Sequence, residues 1–175
     1  MLDALTLDVN YDQSIGRWGD LSFKGSYTKN LKHEQQTYPT DPVIDLLNSG
    51  YNSRDPIYRA NASATWVKGN WNTTLYADYI GPTADYDAWT DITNCSTSRC
   101  NEVGSYTTYN ASVNWKATSD LDLSFVVTNL TNKMPDMDAR NPAYGNNGAP
   151  YNSSMFDVYG RGYYLEARWN FGKKN

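Results

Sequence analysis

The run from Gly162 to Phe171 constrains this chain more than any other stretch. Strand side chains alternate between two faces. Tyr163, Leu165, Ala167, Trp169 and Phe171 therefore share one face, and Tyr164, Glu166, Arg168 and Asn170 share the other. One face is apolar and begins and ends in aromatic rings. The opposite face is polar and carries both signs of charge. A water-soluble β-sandwich would bury the apolar face against a second sheet. A transmembrane β-barrel would turn it to lipid, with rings at each interface and a polar lumen behind.

Six further segments repeat the period of two. They are Leu5 to Tyr11, Leu21 to Thr28, Arg59 to Val67, Trp71 to Ile80, Thr107 to Lys116 and Leu121 to Leu130. In the fourth, Trp71, Thr73, Leu75, Ala77 and Tyr79 oppose Asn72, Thr74, Tyr76 and Asp78. No segment reads as a long helix, and Val43 to Asn48 has room for a helical turn or two at most.

The connections separate the two architectures. Short turns fall at Ser14–Gly19, Lys68–Asn70 and Ala117–Asp120; long loops fall at about 29–58, 81–106 and 131–160. Short and long alternate strictly, which places every long connection at one end. Outer-membrane barrels have this asymmetry, with tight periplasmic turns and extended extracellular loops. A soluble Greek key has no reason for it. Trp18, Trp66, Trp71, Trp115 and Trp169 lie near the short-turn end, where an interfacial girdle would place them.

Composition agrees once the fold is considered. No apolar run approaches the roughly 18 residues of a spanning helix, which excludes a helical membrane protein; the mean hydropathy is -0.71. It does not weigh against a barrel, whose strands show lipid only half their residues. Fifteen Tyr and six Trp against four Phe favour rings with a polar edge, suited to membrane interfaces and to sugar-binding surfaces. A net charge of -4 argues against a nucleic-acid partner. The opening residues Met1 to Ala4 lack the charged and apolar regions of a secretory signal, so either the mature protein starts here or the chain is a piece of something larger.

Seven strands leave two open edges. Each unpaired N–H or C=O in hydrocarbon costs a few kcal/mol, so an open sheet would be penalised by roughly tens of kcal/mol. The expected fold is an all-β, antiparallel up-and-down barrel to which these strands contribute one part. The remainder of the barrel would come from further sequence or from another polypeptide.

Two C-terminal motifs carry a family likeness. The segment Phe125-Val126-Val127-Thr128-Asn129-Leu130-Thr131-Asn132-Lys133-Met134-Pro135 resembles the "V-x-N-L-F-D-K-x-P" run of TonB-dependent outer-membrane receptors. The stretch from Tyr159-Gly160-Arg161 to Phe171 resembles their closing "Y-G-R-x-Y-Y-L" strand. The Gly16-Arg17-Trp18-Gly19 turn is similar in spacing. Thr131-Asn132 stands where the family has an aromatic–acidic pair, and Gly172 to Asn175 extend beyond the closing aromatic residue. The resemblance implies the last seven strands of a 22-stranded barrel and residence in the bacterial outer membrane. It implies energised uptake of a siderophore, vitamin, oligosaccharide or peptide, with the plug domain, TonB, outer-membrane lipid and the nutrient as partners. Neither a plug nor a TonB box is found in the chain.

Candidate ligand residues fall in the outer loops. Tyr86 and Trp89, beside Asp85, Asp87 and Asp91, could stack on a sugar or meet a cationic ligand. Arg140, Tyr144, Asn146, Asn147 and Tyr151 form the preferred recognition set, since Tyr and Asn suit adaptable contacts. Cys95 and Cys100 are expected to close a short disulfide loop. Asp136 and Asp138 lack the ligand spacing of a calcium loop, so neither a metal nor a cofactor is expected. Asp8, Lys24, Asp78, Glu166 and Arg168 are assigned to the lumen, and lumenal Asn110 is expected to tolerate a charge. His33 has only Glu34 nearby, and no carboxylate pair suggests glycosidic chemistry. Binding rather than catalysis is expected.

Overall fold

The computed structural model describes residues 1–47, 55–84, 102–136 and 155–172. Ten strands follow in chain order: β1 (Leu2–Ser14), β2 (Asp20–Gln35), β3 (Ile44–Asp45), β4 (Tyr58–Lys68), β5 (Trp71–Ile80), β6 (Thr83–Ala84), β7 (Glu102–Val103), β8 (Tyr106–Lys116), β9 (Leu121–Thr128) and β10 (Gly162–Trp169). The seven long ones are the seven alternating segments of the sequence. They form one antiparallel meander in the order β1-β2-β4-β5-β8-β9-β10. Among the described residues, no helix is long and apolar enough to cross a membrane; that has no bearing on crossing by strands.

The register carries the alternation across the whole sheet. One row runs Tyr11, Phe23, Ala64, Leu75, Ala111, Val127, Tyr163, one residue from each strand. The adjacent row, on the opposite face, runs Asp12, Ser22, Thr65, Thr74, Ser112, Val126, Tyr164. A slip of one residue at any strand would exchange the faces there, so each pairing supports the next. Hydroxyl pairs on the polar face reinforce it, Thr65 with Thr74 at 2.9 Å and Thr6 with Thr28 at 3.0 Å.

Nothing among the described residues covers the apolar face. Leu7 is 62% exposed, Leu75 48% and Leu165 79%. A soluble sandwich would have buried these side chains, so that alternative fails. Strands β4, β5 and β8, with 11, 10 and 11 residues, match the roughly 9–11 residues that a tilted strand needs to cross a bilayer.

Strand limits differ from the sequence expectation chiefly at the long-loop end. Strand β2 continues past Thr28 to Gln35. Its extension, Lys29-Asn30-Leu31-Lys32-His33-Glu34-Gln35, has no apolar alternation to read because water surrounds both faces beyond the hydrocarbon. Ile44 and Asp45, read as helix-capable, instead pair with Gln35 and Glu34. Strand β9 stops at Thr128, two residues early, because Asn129 takes a left-handed φ of 48° that no ladder accommodates. Among the described residues, β1 pairs only with β2 and β10 only with β9, leaving an open edge on each side.

Candidate functional site

The polar face and the outer strand ends form the surface on which recognition can occur. At the outer end, Ile80 and Tyr106 are register partners on that face, with Asp78, Thr108 and Asn110 beneath them. Ile80, Val103, Tyr106 and Phe156 make a buried cluster, with Met155 packed against it. The Tyr106 and Phe156 rings meet edge to face, centroids 5.4 Å apart. The Tyr106 hydroxyl lies 3.1 Å from the carbonyls of both Lys133 and Asp157, to which it donates. The end of the third outer connection is thereby folded over the polar face and tied to the second, which supplies Val103. Below it a cavity of about 220 Å³ is lined by Asp78, Thr108, Asn110, Asn129 and Asp157, among others. Its oxygens and amides can take hydrogen-bond donors or a cationic group.

A corner at the end of β9 positions this cluster. Asn129 is 5% exposed. Its Oδ1 accepts from the Lys133 N–H at 2.9 Å, and its Nδ2 donates to the Lys133 carbonyl at 2.8 Å. Its own N–H donates to Asn110 Oδ1 at 2.9 Å. Asn132, at φ 51°, accepts the Arg161 N–H at 3.0 Å. Gly160, at φ 74°, lies close enough that a Cβ there would meet Asn132 Oδ1 at 3.0 Å. Asparagine tolerates the left-handed region and bonds to nearby backbone, which is why this residue type recurs at the corner. Asn110 thus supplies an acceptor to this corner from its place on the polar face.

At the inner end the polar face holds a second cavity of about 350 Å³, lined by Asn72, Asn114, Asp122, Ser124, Glu166 and Arg168 among others. Arg168 and Glu166 pair at 3.1 Å, and the Ser124 hydroxyl bonds Asn114. Asp8, Lys24 and Asp78 also lie on this face by register. His33, expected to have only Glu34 for company, is bonded through Nδ1 to Asp55, 22 residues away; Glu34 pairs with Lys32 at 3.0 Å instead. Tyr86, Trp89, Cys95, Cys100, Arg140, Tyr144, Asn146, Asn147 and Tyr151 all lie outside the described residues, as does Asp138. Asp136 is described, and its carboxylate lies against Gly104. Among the described residues no three or more His, Cys, Asp or Glu side chains gather as metal ligands would.

Sequence reading passed over Ile80, Tyr106 and Phe156. One signal was available: Ile80 has the parity of polar Asp78, and an apolar residue ending a polar face needs something to cover it.

A family model for the TonB dependent receptor-like β-barrel matches residues 5–130. The chain belongs to the TonB-dependent receptors. Barrels of this family lie in the bacterial outer membrane, so the uncovered apolar face is the lipid-facing one. The crystal structure of the ferric enterobactin receptor PfeA of Pseudomonas aeruginosa, in a mutant form, superposes with a TM-score of 0.56 over 95% of this chain at 15% identity. A second PfeA mutant gives 0.55 over the same share. The ferric yersiniabactin uptake receptor FyuA of Yersinia pestis gives 0.48 over 98% at 16% identity. At such identity the likeness to PfeA is one of fold. The chain spans 22% of the PfeA chain and 24% of the FyuA chain. No curated protein matches it.

Proposed function

We propose that this chain is the C-terminal part of the barrel of a TonB-dependent receptor that draws a scarce nutrient across the outer membrane. The observation that carries the reading is the two-faced seven-strand meander with its outer ends built into a folded loop cluster. An open meander in lipid needs further strands, and a receptor of this family supplies them together with a plug. The short turns then face the periplasm. The polar face borders the plug, and the outer loops, including Tyr86, Trp89, Arg140, Tyr144, Asn146, Asn147 and Tyr151, meet the nutrient. The chemistry is binding and gating: the plug shuts the lumen until TonB, drawing on the energised inner membrane, moves it.

The test uses cells carrying the full receptor with and without functional TonB. Labelled ferric siderophore, cobalamin, oligosaccharide and peptide are offered in turn. The reading predicts that one of them accumulates, and that accumulation collapses when TonB is removed. Equal, non-saturable entry in both backgrounds would identify an open pore and contradict it.

A further inference from the structure

The Gly16–Trp18 turn joins β1 to β2, and its geometry is unusually well fixed. Gly19 sits so close to β4 that a Cβ would fall 2.2 Å from the Val67 carbonyl, and its φ of 98° suits glycine. The Trp66 indole N–H donates to the Trp18 carbonyl at 2.8 Å. These two contacts fasten the turn against the foot of β4. Two cations are thereby brought to a single ring: the Arg17 guanidinium carbon lies 5.2 Å from the Trp18 centroid and Lys68 Nζ lies 5.1 Å from it. Neither is ion-paired among the described residues. Beside Lys68 a groove of about 640 Å³ is lined by Trp66, Gly69, Asn70, Trp71 and Trp115. Trp66, Trp71 and Trp115 belong to the lipid-facing rows.

We infer that this turn is a binding site for the phosphate of an anionic phospholipid in the periplasmic leaflet. The glycerol backbone and upper acyl chains would lie along the Trp66–Trp71–Trp115 groove. The site rests on the membrane orientation given above, which puts the short turns at the periplasmic interface. Three features select this occupant. Like charges held at one ring repel unless an anion lies between or beside them, and the ring's quadrupole holds each cation without using its N–H donors. Those donors stay available for phosphate oxygens. The groove is continuous with surface wetted by hydrocarbon, which a lipid reaches and a soluble periplasmic protein does not.

The experiment is native mass spectrometry of the full receptor released from detergent and titrated with phosphatidylglycerol or phosphatidylcholine. Each cation near an anionic headgroup contributes about 1 kcal/mol, so Arg17→Gln and Lys68→Gln should each weaken the first phosphatidylglycerol about fivefold. The double variant should weaken it about 25-fold, with phosphatidylcholine bound weakly throughout. Lys24→Gln, on the polar face, should change nothing. Heat-modifiable gel migration reports whether each barrel is folded. Loss of folding in wild type and Lys24→Gln would indict the barrel reading rather than the lipid site. Unchanged phosphatidylglycerol affinity in a folded double variant would overturn the proposal. A photo-crosslinker at position 17 that captured a periplasmic protein instead of lipid would overturn it too.

Discussion

Asn132 Oδ1 accepts the backbone N–H of Arg161 at 3.0 Å, joining two segments 29 residues apart in sequence. The partners sit in the two motifs that most resemble the family, so those motifs meet at one corner. Asn132→Ala removes one acceptor and, like Asn129→Ala, leaves alanine in the left-handed region at φ 51°, so about 1–2 kcal/mol is expected. Asn129→Ala removes two bonds from a buried side chain and leaves a left-handed non-glycine, so about 2–3 kcal/mol is expected. Asn129→Gly should recover the backbone part alone. Urea unfolding of the full receptor in micelles would rank the three, and an Asn132 effect equal to that of Asn129 would contradict the corner as described.

The two faces differ in what they tolerate. Leu75→Arg puts a guanidinium into hydrocarbon near the middle of β5 and should cost about 2–4 kcal/mol. Asn61→Arg points into the lumen beside Asp78, its register partner, and should cost under about 1 kcal/mol. Refolding yield and unfolding midpoints in bilayers measure the difference. Equal costs would remove the face assignment.

Trp71 and Trp115 are register partners whose rings stack at 5.3 Å with 9° between planes. Their coupling, from Trp71→Ala, Trp115→Ala and the double variant, should be about 0.5–1.5 kcal/mol. Additive losses would show that each ring merely rests in the interface.

At the outer end, Phe156→Ala opens the cluster with Ile80, Val103 and Tyr106. The loss should approach about 2–3 kcal/mol locally, read as faster amide exchange in residues 102–108 and 155–160. The central strands should keep their protection, since their ladders do not depend on the cluster. Global loss of protection would mean the cluster supports the sheet itself.

The sheet was legible because hydrocarbon imposes a period of two on every spanning residue. Leu5 to Tyr11 and Trp71 to Ile80 could be read directly, and turn lengths ordered them. Beyond the membrane that constraint ends. The extension of β2 through His33, its bond to Asp55 and the pairing of Ile44 with Gln35 depend on contacts distant in sequence, which no local pattern records. Tyr106 and Phe156 lie 50 residues apart, and only the chain's return over the lumen brings them together. Asn129 and Asn132 were visible as a motif, while the left-handed backbone that explains them was not.

The membrane orientation of the sheet depends on lipid wetting the face that holds Leu75. The direct test attaches a nitroxide in turn to positions 71–80 of the full receptor in bilayers and measures relaxation by oxygen and by a water-soluble nickel chelate. Oxygen should dominate at Trp71, Thr73, Leu75, Ala77 and Tyr79, and the chelate at Asn72, Thr74, Tyr76 and Asp78. A profile without that alternation, or with the chelate favouring the Leu75 face, would contradict the account.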